Sequence, residues 1–341
     1  MWFPSSKKGR KEDPENYRPV SFTSILGKLF ERIILAHVHK GPAGEIMLRG
    51  NQHRIIRGRS CQTNQVAFYN QVTKSLNAGV AVDIVFLDFW KAFDIVSHLV
   101  LIKKLGDSGV NTYTVKWVTN WLEGCTQRVV VDGSVSTWRD VGCGVPQGSV
   151  LGPALFNIFI SDLDERVKST LFKFADDTKL WGDVGTLEGR NRIQSDLDRL
   201  QWWVDENRMG FNTDKCKVMH LGRKNQQHTY RLGNSFFGSG EAEKDLGVII
   251  DAKMNMGRQC GDAVRKANHT LSCIHRCISS RSKEMTLPLY TALVRPQLEY
   301  CIQFWALHFK RDVDNMERVQ TRATCMIGGS RASPTRRGYR T

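Results

Sequence analysis

One segment constrains this chain more than any other. From Val80 to Phe89 the residues Val82, Ile84 and Phe86 alternate with Val85, Leu87 and Phe89, which predicts a strand apolar on both faces. Such a strand belongs in the middle of a covered sheet, because either face left in water would expose a full row of large side chains. Near its end stands Asp88, on the same face as Phe86. The rest of the pattern has to supply the cover.

Helical spacing does so. Ser24 is a candidate N-cap for an amphipathic helix through Leu26, Leu29, Phe30, Ile33 and Ile34. Cys61 to Leu76 reads as a half-buried helix, and a helical stretch runs to Trp121. Arg128 to Val131 reads as a strand closed by an Asp132-Gly133 turn. A Gly/Pro loop, Gly144 to Gly148, feeds Val150 to Ile160, which is apolar almost all round and so predicts a buried helix. Leu171 to Ala175 and Thr178 to Trp181 read as two strands with Asp176 and Asp177 at the tip between them. Ile193, Leu197, Leu200 and Val204 mark a further helix with Gly210 as its expected C-cap, followed by strands near Lys217 to Leu221 and Leu246 to Ile250. The prediction is an α+β sheet with helices on one face.

Beyond Asp251 the pattern turns wholly helical. One seam runs from Cys260 to Ile278, a second from Leu287 to Val294, and a third through Val313, Met316, Val319 and Ala323. Gly328-Gly329 ends it, and the tail after it carries no apolar pattern, so residues 329–341 are expected to be disordered.

A length of 341 residues leaves room for two or three packed units. With 41% hydrophobic and 24% charged residues, disorder along the whole chain is excluded. The longest apolar run, Leu151 to Ile160, falls well short of the roughly 18 residues a membrane span needs. The basic N-terminus has no apolar stretch behind it, so no secretory signal is read and an intracellular protein is expected. The cluster Lys7 to Lys11 fits an exposed charge run better than a nuclear address. Nine cysteines without a Cys-x-x-Cys pair argue for reduced thiols, and a helix would splay Cys273, His275 and Cys277 too widely to hold a metal.

The charge points to a polyanion. Lys and Arg number 49 against 34 Asp and Glu, a formal net charge of +15. From Gly257 onward 15 basic residues face 6 acidic ones, a surplus of nine in the last quarter. That surplus is spread over several helices, which suits nucleic acid better than a membrane surface.

Asp88, Asp176 and Asp177 are the candidate chemistry. Adjacent carboxylates beside a sheet core repel one another unless a cation is shared among them. A hard divalent ion meets that need, since Mg²⁺ takes one or two carboxylates and completes its shell with water and substrate phosphates. Taken alone, the Asp-Asp pair is more often a solvated turn. The Gly144 to Gly148 loop offers a close backbone approach and, in Gln147, an amide donor for a phosphate or base, although a plain linker is the commoner use of such a loop.

Three ordered runs raise the specificity. LDFWKAFDIVSH (Leu87 to His98), GVPQGSVLGPALFNIFISDL (Gly144 to Leu163) and FADDT (Phe174 to Thr178) resemble the palm motifs of reverse transcriptases. NYRPVSFTSILGKLFER (Asn16 to Arg32) and FNTDKCKVMHLG (Phe211 to Gly222) resemble those of non-LTR, LINE-type retrotransposons, and the likeness runs from about Lys7 to Gly328. The resemblance implies a right-hand polymerase with fingers over 1–79, a palm over 80–251 and a helical thumb over 252–328. It implies that Asp88, Asp176 and Asp177 hold two Mg²⁺ or Mn²⁺ ions. Phe93 matches the residue that screens the ribose 2′ position, Gln147 a nucleotide-side glutamine, and Lys215 the lysine that protonates leaving pyrophosphate, although a solvated strand-edge lysine fits that position equally well. Phe89, Gly148 and Arg57 complete the implied substrate-binding set. The implied activity is RNA-directed DNA synthesis from an RNA template, a DNA primer and deoxynucleoside triphosphates, with no membrane partner.

Departures favour an alternative. Arg54 and Ile55 follow Gln52-His53 where the family usually has Gly-Phe, and Trp90 stands where a small residue is usual. The upstream endonuclease domain of full-length elements is absent, so the chain reads as a degraded or truncated copy. The alternative is a catalytically inactive, nucleic-acid-binding remnant.

Overall fold

A computed structural model describes residues 2–6, 17–21, 23–48, 52, 58–131, 134–279, 282–305 and 309–327. Arg54, Ile55, Arg57, the Asp132-Gly133 turn and the tail after Ile327 lie outside the described residues. The chain divides into two compact units, Met1–Gly240 and Glu241–Thr341.

The first unit opens with paired strands β1 (Trp2–Ser6) and β2 (Tyr17–Ser21), then helices α1 (Ile25–Lys40), α2 (Pro42–Leu48) and α3 (Cys61–Asn77). Strand β3 (Val82–Leu87) follows, then α4 (His98–Asp107) and α5 (Thr112–Leu122). Two small ladders join β4 (Thr126–Gln127) to β7 (Arg139–Asp140) and β5 (Val130–Val131) to β6 (Ser134–Val135). Next come α6 (Gly152–Phe159), β8 (Thr170–Phe174), β9 (Asp177–Asp183), α7 (Leu187–Glu206), β10 (Lys217–Leu221), the pair β11 (Arg231–Leu232) and β12 (Ser235–Phe236), and β13 (Gly238–Ser239).

The sheet reads β13-β10-β3-β9-β8, with β3 at its centre and all pairs antiparallel except β10 with β13. The doubly apolar segment is thus the middle strand, as its pattern requires. One face, carrying Val85, Leu87, Leu171, Leu180 and Val218, joins Ile193, Leu197 and Leu200 of α7 and Ala154, Leu155, Phe156, Ile158 and Phe159 of α6 in the main core. The other face is also covered, contrary to the one-sided expectation. There Phe68 of α3 meets Phe172 edge-on at 5.6 Å, and Trp181 donates its indole N–H to Gln71 at 3.1 Å. Val82, Ile84 and Phe86 face one side and Val85 and Leu87 the other, so helices had to lie on each side.

Three local readings change. Ser24 does cap α1, its hydroxyl accepting from the Gly27 N–H at 3.0 Å, yet Leu26, Leu29, Phe30 and Ile33 face outward. The packed face instead carries Val38 and Glu31, because the buried Glu31 carboxylate accepts from the N–H groups of Val150 and Leu151, 2.5 and 3.1 Å away at the start of α6. Helix α7 ends at Asn207 with Arg208 in left-handed backbone (φ 56°), so Gly210 is not its cap. Asp176 and Asp177 do not share the hairpin tip. Phe174 pairs with Asp177, so the two-residue turn is Ala175-Asp176 and Asp177 opens β9.

The second unit holds a hairpin of β14 (Ala242–Asp245) with β15 (Val248–Asp251), then α8 (Gly257–Cys277), α9 (Lys283–Leu289), α10 (Arg295–Glu299) and α11 (Lys310–Met326). The strands at 242–251 therefore pack with the helices that follow them. Gln259 of α8 ties the hairpin down by accepting from the Ile249 N–H at 2.9 Å. Cys260, Ala263, Ala267, Leu271 and Ile274 form the buried seam of α8, against Met316, Val319 and Ala323 of α11. The expected 287–294 seam is mostly outward: Leu287 and Leu293 are exposed and Val294 is buried, and the backbone there passes through Pro288 into a π-helical turn. Cys273 meets His269 and Arg276 rather than His275 and Cys277. No described helix is long and apolar enough to cross a membrane.

Candidate active site

The ladder between β3 and β9 ends with Leu87 opposite Thr178. Continued by one residue, that register sets Asp88 across from Asp177, while Asp176 occupies the adjoining turn. Asp88 and the Asp176-Asp177 pair, distant in sequence, thus lie at one end of the two central strands. Antiparallel neighbours directly opposite put their side chains on one face, so Asp88 and Asp177 are not separated by the sheet.

The turn carrying Asp176 is fixed from outside the hairpin. Ala175 has φ 58°, a left-handed conformation that costs a non-glycine residue on the order of 1–3 kcal/mol. Its buried N–H donates to the Gln52 side-chain oxygen at 3.0 Å, and the Gln52 carbonyl accepts from Arg59 at 2.7 Å. Gln52 thus holds a strained turn in register.

Asp88 is clasped by the segment after α7. Trp90 N–H donates to the Gly210 carbonyl at 2.7 Å, Asn212 N–H to the Asp88 carbonyl at 2.8 Å, and Phe89 stacks on Phe211 at 4.7 Å between ring centroids. The turn from Asn212 to Lys215 then brings the Lys215 ammonium to 2.9 Å from Asp88 Oδ2. Lys215 is therefore paired with Asp88, while 64% of its side chain remains exposed. The Asp88 N–H points at Cys216 Sγ, 3.4 Å away, and burial pushes that thiol up to about 11.

The other expected residues sit as follows. Phe89 is buried in the core, also meeting Trp203 edge-on at 6.4 Å, so a substrate can reach it only through its backbone. Phe93 is half-buried and stacks on Phe156 at 4.5 Å. Gly148 is exposed with φ 102°, a backbone that favours glycine. Gln147 does not stand as a free amide donor, because its Nε2 donates to Asp94 Oδ1 at 2.8 Å. Trp90 turns outward, 44% exposed, with the Lys91 ammonium 4.7 Å over its ring. The contacts made by Asp94, Glu31 and Gln52 were not foreseen from the sequence. Asp94 at least was signalled, as the second acid of the LDFWKAFD run.

Among the described residues no three His, Cys, Asp or Glu side chains converge tightly enough to hold an ion unaided. The carboxylates at the sheet end can give only part of a coordination shell. They are hard oxygen donors, and one already carries a cation in the form of Lys215. That chemistry fits Mg²⁺ or Mn²⁺ shared with substrate phosphates better than a closed protein cage.

The family model described as reverse transcriptase (RNA-dependent DNA polymerase) matches residues 6–250. The chain belongs to that family. It is 28% identical over 335 residues, 93% of its length, to the RNA-directed DNA polymerase from mobile element jockey of Drosophila melanogaster, and 26% identical over 336 residues to a probable RNA-directed DNA polymerase from transposon X-element of the same species. The chain spans 36% and 37% of those relatives' lengths. The solved structure of apo telomerase from Candida tropicalis aligns over 87% of this reverse transcriptase chain and 48% of its own, at 10% identity and a TM-score of 0.49. That match is too loose to support inference.

Proposed function

We propose that this chain is the polymerase core of a retrotransposon reverse transcriptase, extending a DNA primer on an RNA template from deoxynucleoside triphosphates. The observation that carries the reading is the strand register that gathers Asp88, Asp176 and Asp177 at one end of β3 and β9. In this reading the first unit up to α3 contributes fingers, the sheet and its helices the palm, and the helical second unit the thumb.

Asp88, Asp176 and Asp177 are the residues that would hold two divalent ions. When bound, such ions neutralise charge on the triphosphate and favour the reactive form of the primer hydroxyl. Asp88 and its neighbours orient the primer 3′-oxygen toward the α-phosphorus, where a P–O bond forms as the bond to pyrophosphate breaks. Phe93, braced by Phe156, limits the room beside the sugar. Lys215 leaves Asp88 when substrate enters and protonates the departing pyrophosphate. The basic surplus of the second unit follows the template–primer backbone, although Arg322 is already engaged by Asn268 and Ser272 of α8, each at 3.1 Å.

The test is primer extension on an RNA template with Mg²⁺ or Mn²⁺. Extension that falls about 1000-fold in Asp176→Asn, the effect of several kcal/mol of charge stabilisation, supports the reading. A second reading, a binding remnant without catalysis, draws on the bulky Trp90 beside Asp88. Template–primer binding that weakens steeply with salt, by roughly 0.9 log units per phosphate contacted, together with no extension, would favour it.

A further inference from the structure

The segment just after Asp88 grips the glycine-rich loop at several points. Gly144 N–H donates to the Val96 carbonyl at 2.8 Å, Val145 N–H to the Phe93 carbonyl at 2.7 Å, and His98 Nε2 lies 2.8 Å from the Gly144 carbonyl. Asp94 is engaged through both backbone and side chain. Its carbonyl accepts from Cys143 Sγ at 3.3 Å and would stand 2.6 Å from a Cβ on Gly144, which at φ 89° only glycine occupies without strain. Its carboxylate accepts from Gln147 Nε2 at 2.8 Å.

A carboxylate offers acceptors and no donor, so the Gln147 amide has to turn its nitrogen toward Asp94. Its Oε1 has no hydrogen-bond partner among the described residues. We propose that Asp94 is a positioning residue for nucleotide binding: it locks the Gln147 amide so that the carbonyl oxygen, an acceptor, is what the incoming nucleotide meets. A carbonyl oxygen can accept but not donate, so it favours a hydroxyl or amino group of the sugar or base over a phosphate oxygen, which is itself an acceptor. The proposal deepens the polymerase reading and rests on it for the identity of the ligand.

The test measures the Kd of a matched deoxynucleoside triphosphate for the full chain bound to a chain-terminated template–primer, so no turnover is needed. Loss of a charge-assisted hydrogen bond predicts that Asp94→Ala weakens binding about 10-fold. In a Gln147→Ala background the same change adds less than about 2-fold, because Asp94 acts through Gln147. Asp94→Asn, whose side-chain oxygen still accepts, stays within about 3-fold of the parent. Effects that multiply in the double variant overturn the proposal, as does an unchanged Kd in Asp94→Ala beside a weakened one in Gln147→Ala. A second readout stands apart from nucleotide binding. In ¹⁵N-glutamine-labelled protein, the side-chain amide signal that disappears in Gln147→Ala should shift in Asp94→Ala and largely return in Asp94→Asn. If the parent binds no nucleotide, the polymerase reading fails while this signal still decides the Asp94 contact, and a signal indifferent to Asp94→Ala overturns it.

Discussion

Strand β3 carries Asp83 near its start and is followed directly by Asp88, five residues further along the chain, and the surroundings of the two could hardly differ more. Asp83 is fully buried and accepts from His220 Nδ1, Asn225 Nδ2 and the Tyr230 hydroxyl, each at 2.7 Å. Burial and the neighbouring Asp83 push the Tyr230 phenol far up, which keeps it a neutral donor. Asp88, just beyond the end of the strand, is half-buried and meets the ammonium group of an exposed lysine. A carboxylate saturated with donors inside a protein serves stability, because removing it strands its partners. One left at a strand end with a single displaceable cation is available for chemistry.

The sharpest way to break this contrast is Asp88→Asn. Primer extension should fall about 1000-fold while the thermal midpoint moves by no more than a few degrees. Loss of folding instead would make Asp88 structural as well. Asp83→Ala should do the reverse and cost about 3–5 kcal/mol in urea unfolding, the usual penalty for breaking a buried charged network. A loss under about 1 kcal/mol would remove the distinction between the two sites. Lys215→Gln sharpens the comparison further. An exposed pair contributes less than about 1 kcal/mol, so stability should barely change, while Mn²⁺ affinity of the free protein should rise a few-fold once the competing ammonium is gone. The smallest effect concerns Cys216. With its thiol raised to about 11, little thiolate exists at pH 8, so iodoacetamide should modify exposed Cys125, Cys143, Cys277 and Cys325 well before it. Early modification of Cys216 would show that the Asp88 clasp opens.

Much of this was legible in the sequence because periodicity reports burial. The doubly apolar run at 82–87 fixed the central strand, and the seam from Cys260 to Ile274 fixed α8. The three acids were legible because a carboxylate at the end of an apolar strand calls for a reason. What escaped were partnerships between distant polar groups. Nothing in the local pattern says that Glu31 caps α6, 120 residues away, or that its face of α1 would win burial over the more apolar one. The saturation of Asp83 was equally invisible, since its three donors come from 220, 225 and 230. The hairpin turn was misread by one residue because strand pairing, not composition, decides which two residues form it, and Ala175 accepts a left-handed φ that sequence statistics assign to glycine.

The central claim is that the open end of β3, and not its buried end, holds divalent cations for the reaction. Mn²⁺ titration followed by electron paramagnetic resonance, with template–primer and nucleotide present, tests it directly. The account predicts that binding survives a folded Asp83→Asn variant and is lost in Asp88→Asn; equal Mn²⁺ binding by Asp88→Asn and the parent would contradict it.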